Sequence, residues 1–195
     1  MENVTGILSS KTADNKKVID IILEEFDKAN YYISVQKLKA SDFGVPQDRV
    51  RVFITGFRKD LPFRYRKYIS QVLNPVSVEQ AIMDLPQIKA GEKGSGLSYI
   101  SKPQNDYQSL MREIALEKVT CHDAMRHTKR IIERFKNIKQ GQSLKDVNKE
   151  HGAVKRGNPQ EKSGVVFSQN NYRMIAIKPA PTIAALFNLI SSILF

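Results

Sequence analysis

The sequence is short of cysteine and of acid. One cysteine, Cys121, stands alone among 195 residues. No disulfide can close within the chain, which fits a reducing compartment and sets cytoplasmic placement as the expectation. The N-terminus, MENVTGILSSK, lacks the basic-then-apolar pattern of a secretion signal. That absence discounts the glycosylation-type triplet Asn3-Val4-Thr5. The apolar tail IAALFNLISSILF falls short of the roughly 20 residues that cross a bilayer, so no membrane partner is expected. A phosphate-cradling loop is also lacking. KAGEKGSGLS is glycine-rich, but no strand precedes it and its spacing is wrong, so it is expected to be a flexible linker. Cys121, His122, His127 and His151 match no common zinc spacing, and no metal site is expected. There is no internal repeat.

What the chain has in excess is positive charge. Lys and Arg number 31 against 20 Asp and Glu, giving a net charge of +11 and a pI near 9.7. Such an imbalance points to an anionic partner, with nucleic acid first. The length suits one domain, or a small domain joined to part of another.

Residues 1 to 12 read as a strand end running into a loop. Asp14 is a candidate cap for a helix through NKKVIDIILEEFDKAN, with Val18, Ile21, Ile22 and Phe26 on one stripe and Asn30 at its end. YYISVQKL alternates as a strand with Ile33 and Val35 on one face. After the turn ASDFGVPQ, Val50, Val52 and Ile54 alternate in a second strand. The stretch LPFRYRKYISQVLNP is basic and aromatic, and SVEQAIMDLP is expected to be a short helix ended by Pro86. Residues 123 to 139 are expected to be a helix capped by Asp123 and stopped by Gly141. Its apolar stripe is Met125, Ile131, Ile132, Phe135 and Ile138. Its other face carries Arg126, Lys129, Arg130, Arg134 and Lys136, which are candidate DNA-phosphate contacts or, equally, a solvated helix face. SGVVFSQNNYRMIAIKPAPTI is expected to form two short strands around a turn.

One pattern is harder to explain as structure alone. Gln47, Arg49 and Arg51 share one parity in a stretch read as extended, so three long hydrogen-bonding side chains are aimed at one place. Together with Glu2-Asn3-Val4, Tyr172-Arg173-Met174 and Pro179-Ala180-Pro181-Thr182-Ile183, in that order, Gln47-x-Arg49-x-Arg51 resembles the motif series of the C5-cytosine DNA methyltransferases. The run ASDFGVPQDRVRVFITGFR is similar to the family pattern throughout.

The resemblance implies an α/β fold: the second half of a Rossmann-like S-adenosylmethionine-dependent methyltransferase domain, with a smaller, irregular α+β target-recognition domain. On this basis residues 1–60 belong to the catalytic domain, 61–172 to target recognition, and 173–195 to a shortened return. It implies double-stranded DNA as partner and S-adenosylmethionine as methyl donor. It also implies that a cytosine is flipped from the duplex and attacked at C6, so that charge develops at N3 and O2. By the same resemblance Glu2 and Asn3 belong to the catalytic motif, with Glu2 bonding N3 and the exocyclic amine. Arg51 reaches O2, Arg49 holds Glu2 and the catalytic loop, and Gln47 supports the loop or touches the DNA backbone.

The family's donor-binding glycine loop and Pro-Cys nucleophile precede its Glu-Asn-Val motif. The sequence therefore reads as the middle of an enzyme, inactive alone and dependent on a complementary N-terminal polypeptide. Two alternatives stay open: a non-catalytic DNA-binding module, and a degenerate gene product.

Overall fold

The computed structural model describes residues 1–62, 68–69, 74–114, 117–147, 151–152, 154–155, 157–162 and 171–182. Much of the basic aromatic stretch after Arg58, the strand expected at 163–170, and the chain from Ile183 onward lie outside these residues. The chain divides into two compact units, Met1–Pro75 and Val76–Phe195.

The first unit is a three-stranded antiparallel sheet with one helix on it. In chain order it contains β1 (Glu2–Asn3), a 3-10 turn (Thr5–Leu8), α1 (Val18–Lys28), β2 (Tyr31–Lys39), a second 3-10 turn (Ala40–Phe43), β3 (Gln47–Asp48) and β4 (Val50–Arg58). The sheet order is β1-β4-β2. β4 is central because its β-branched residues at 50, 52 and 54 suit a pleated, covered surface. Val52 and Ile54 are 0% and 3% exposed and join Ile7 and Ile19 in one core. Val18, Ile22, Leu23, Ile33 and Val35 pack against it. Each fully buried aliphatic side chain contributes about 1.5–3 kcal/mol.

The helix starts later than its polar lead-in implies. Asp14 does not cap it: Lys17 holds the N-cap position and no side chain bonds there. The chain before it folds instead into a turn, with the Asn15 amide on the Thr12 carbonyl at 3.0 Å and Asn15 at φ 63°. A start at Val18 leaves Lys16 and Lys17 outside the helix and puts Asp20 in its first turn, as the helix dipole favours. Asn30 ends it as expected, in the left-handed conformation at φ 66°.

The second unit contains α2 (Val78–Ile82), α3 (Asp106–Ile114), α4 (Lys129–Asn137), β5 (Val154–Lys155), β6 (Asn158–Lys162) and β7 (Ala180–Pro181). Ser77 and Gln80 form a reciprocal capping box on α2. The glycine-rich stretch is not a flexible linker. Residues 91–98 run antiparallel to 118–125, with the Gly91 amide on Met125, Gly94 on His122 and Gly96 on Val119. Side chains close the same ribbon. The Ser95 amide donates to Asp123 at 3.0 Å, and the His122 amide donates to the Ser95 hydroxyl at 3.1 Å. Gly94 is required by close approach, since a Cβ there would lie 2.2 Å from the His122 carbonyl oxygen. Composition pointed to looseness because the partner strand is about 28 residues away, a pairing that local reading does not show.

α4 is shorter than its apolar stripe implies. Asp123 is committed to Ser95 and does not cap it. The helix ends at Asn137 because Ile138 turns extended (ψ 117°) to bury itself, 1% exposed, ahead of Gly141. The stretch expected as paired strands shows, among its described residues, a turn at Asn171, a second turn closed by the Lys178 amide on the Ile175 carbonyl, and β7.

Ile54→Ala should destabilise the chain by about 2–5 kcal/mol, read as a lower urea midpoint. An unchanged midpoint would show that this sheet is not the folding core.

Candidate active site

The site begins with a register. β1 pairs antiparallel with β4, with Glu2 opposite Phe53 and Asn3 opposite Val52. Partners across a ladder share a face, so Glu2 lies on the face opposite the Val52–Ile54 core. Arg51 lies on that same face by alternation. The Arg51 Nε forms an ion pair with Glu2 Oε1 at 2.8 Å, and its Nη1 donates to the Val50 carbonyl at 2.8 Å. The Arg51 side chain is 20% exposed and that of Glu2 is 48% exposed. Glu2 Oε2 and Arg51 Nη2 bond no described residue. The pair therefore presents an open acceptor and an open donor side by side.

Arg51, rather than Arg49, is thus the residue that holds Glu2. Arg49 is half-buried, and no described residue offers its guanidinium a hydrogen bond or an ion pair. Gln47 is half-buried in β3, but the assumption of one extended run through 47–51 does not hold. The Gln47 amide bonds the Val45 carbonyl at 2.7 Å, and the Arg49 amide bonds the Gln47 carbonyl at 2.9 Å. These i to i+2 bonds are γ-turns, and Pro46 supplies the fixed φ that suits the first. Parity therefore links Arg51 to the strand and does not extend through the turns to Gln47. Asn3 turns inward locally: its Oδ1 accepts the Val4 amide at 2.8 Å.

In the second unit the expected phosphate contacts separate by burial. Arg126 is exposed ahead of α4, and Lys129 and Arg130 are exposed in its first turn. Lys136 is exposed with Glu133 at 3.5 Å. Arg134 does not belong with them. It is 7% exposed, and its guanidinium donates to the carbonyls of His151 (2.7 Å) and Gly152 (3.0 Å). Burial, then the nearby Arg130 charge, pushes its pKa down. It is an internal tie between α4 and the chain at 151–152. Alternating charge along α4 gave no sign of this, because the carbonyls it serves carry no sequence signal.

Three further polar ties went unread in the sequence. Asp84, 3% exposed, receives Arg112 Nη2 at 2.5 Å and Nε at 3.1 Å, and Arg112 also covers the Tyr99 ring at 3.9 Å. Gln108, 3% exposed, donates to the Gln80 carbonyl at 2.9 Å and accepts the Gln104 amide at 2.7 Å. Arg173 donates to the Phe135 carbonyl at 2.6 Å, in the last turn of α4 where a cation is favoured. Among the described residues no cluster of His, Cys, Asp or Glu is arranged to hold a metal, and no helix is long and apolar enough to cross a membrane.

With this geometry established, comparison with known proteins decides the family. The family model for C-5 cytosine-specific DNA methylases matches residues 1–183. The chain belongs to that family. It is 47% identical over 199 aligned residues to the type II methyltransferase M.DdeI of Desulfomicrobium norvegicum, an alignment covering 96% of this chain and 46% of that protein. It is 48% identical over 60 residues to the type II methyltransferase M.FnuDI of Fusobacterium nucleatum, covering 31% of this chain and 17% of the relative. The chain therefore spans less than half the length of these relatives. Its fold is similar to that of a solved prophage-encoded E. coli protein described as a DNA modification methyltransferase. The TM-score is 0.61 at 18% identity, over 93% of this chain and 51% of that one.

Partly exposed ion pairs such as Glu2–Arg51 contribute about 0–1 kcal/mol. The Arg134 tie is different in kind. Arg134→Ala should destabilise the second unit by about 2–5 kcal/mol, because the half-buried His151 and buried Gly152 carbonyls lose their donor. Lys129→Ala should move stability by less than about 0.5 kcal/mol. Urea unfolding of both variants checks this, and equal midpoints would mean that Arg134 is not an internal tie.

Proposed function

We propose that this chain supplies the base-binding and target-recognition part of a DNA (cytosine-5) methyltransferase. The observation that carries the reading is the Glu2–Arg51 pair, with an acceptor and a donor left open on the sheet face away from the core. A cytosine flipped from the duplex offers a matching edge: its exocyclic amine donates to Glu2, its N3 accepts a proton carried by or shared with the Glu2 carboxyl, and its O2 accepts from Arg51. Flipping costs a few kcal/mol, which a shaped polar site must offset. When a nucleophile adds to C6, electron density moves onto N3 and O2. A guanidinium already fixed by Glu2 and the Val50 carbonyl meets that charge without reorganising. Arginine suits the role because its planar fork is rigid and always charged. The half-buried Arg49 supports the loop around the site, and Gln47 borders it.

The methyl donor of the reaction is S-adenosylmethionine, by family. The glycines at 91, 94 and 96 do not fit a donor cradle: they lie in a closed ribbon, and the His122 carbonyl fills the space beside Gly94. We assign the donor's site and the nucleophile to the remainder of the relatives' length, supplied by a complementary N-terminal polypeptide. On this reading the sheet of the first unit is the second half of a Rossmann-like catalytic domain, and the second unit recognises double-stranded DNA. Exposed Arg126, Lys129, Arg130 and Lys136 are its phosphate contacts.

Co-expression with the N-terminal portion of an M.DdeI-type relative, followed by assay of methyl transfer to duplex DNA, tests the proposal. In an active pair, Arg51→Ala should lower the transfer rate by about 100-fold or more, the scale of a lost oxyanion-type donor, while DNA affinity changes by less than about threefold. Equal losses in rate and affinity would remove Arg51 from the flipped base.

A further inference from the structure

The excess of positive charge draws attention to α4, but the polar feature best placed to read a sequence is the hairpin that follows it. β5 and β6 pair antiparallel, with Lys155 opposite Asn158 and Val154 opposite Lys162. The chain reverses at Gly157, φ 86°, where a Cβ would meet nothing within 4 Å. Asn158 and Gln160 are two apart on β6, facing a register shift between Val154 and Lys155, and both are exposed. The Gln160 amide proton goes to Asn158 Oδ1 at 3.2 Å. The Gln160 side-chain amide and the Asn158 NH2 group bond no described residue.

The hairpin is also firmly rooted. The buried Arg134 guanidinium ties His151 and Gly152, just ahead of β5, to α4. The chain that enters β5 is therefore tied to the helix that carries the exposed cations. Lys155 pairs with Glu161 across the hairpin, while the Asn158 NH2 group and the Gln160 side-chain amide have no partner among the described residues.

We propose that the β5–β6 hairpin enters the major groove of duplex DNA and reads adenine through the side-chain amides of Asn158 and Gln160. A two-stranded ribbon fits a groove about 12 Å wide, and Asn and Gln pair bidentately with adenine N6 and N7. The exposed α4 cations meet the flanking phosphates and supply affinity without sequence information. This rests on the reading of the second unit as a DNA-recognition unit.

The test is selection of bound duplexes from a randomised library by the 195-residue chain, which needs no methyl transfer. The wild type should enrich A·T pairs at one or two fixed positions. Asn158→Ala and Gln160→Ala should each reduce that preference by about tenfold at one position, with affinity for random duplex unchanged. Lys129→Ala should instead weaken binding to all sequences and flatten its salt dependence, with the preference intact. An unchanged selected sequence in both amide variants, or no sequence selection by the wild type, overturns the proposal. Methyl transfer by the complemented enzyme is scored separately. Transfer with wild-type site preference in both amide variants would keep the catalytic reading and remove the hairpin from recognition. Selection without transfer would do the reverse.

Discussion

The candidate site depends on the pairing of two residues of β1 with the middle of β4. That short ladder is all that sets Glu2 opposite Phe53 and beside Arg51. A slip of one residue would send the Glu2 side chain to the core face and bring Asn3 to Arg51. The register is held from the other side of β4, where Val52 and Ile54 must stay under α1. Packing on one face of a strand thus determines chemistry on the other. The bond between the Met1 carbonyl and the Ile54 amide, at 2.9 Å, extends the same ladder by one residue.

Arginine serves two ends in this chain. A net charge of +11 invites the view that every cation awaits a phosphate. Yet Arg112 holds a buried aspartate, and Arg134 and Arg173 hold backbone carbonyls. Such groups must be satisfied once they leave water, and the planar guanidinium can serve two acceptors at once. On and just ahead of α4 the exposed cations are Arg126, Lys129, Arg130 and Lys136, with Arg134 turned to internal use. The second unit, irregular and rich in turns, is held together by these polar ties as much as by apolar burial.

Where pattern is local, the sequence was legible. Alternation located both long strands and the covered face of β4, and the stripe around Val18 and Ile22 located α1. The motif series pointed to the family that the comparison established. Where a partner lies far along the chain, reading stopped. The glycine-rich stretch looked like a linker because its ladder partner, around 118–125, is remote. Asp14 and Asp123 looked like caps, although the helices begin several residues later and Asp123 is engaged by Ser95. Arg134 looked exposed because its carbonyl acceptors are invisible in sequence. Gln47 looked aligned with Arg51, but the γ-turn around Asp48 breaks the extended geometry on which that alignment relied.

The central claim is that Glu2 and Arg51 act as one unit on a flipped cytosine, and a double-mutant cycle on methyl transfer tests it most directly. Glu2→Gln, Arg51→Ala and the double variant are compared with the wild type in the complemented enzyme, under single-turnover conditions. The account predicts strong coupling: the double variant should be about as slow as the worse single variant, corresponding to an interaction of at least about 1–3 kcal/mol. Additive losses would contradict it, because two residues that act independently do not share one base edge.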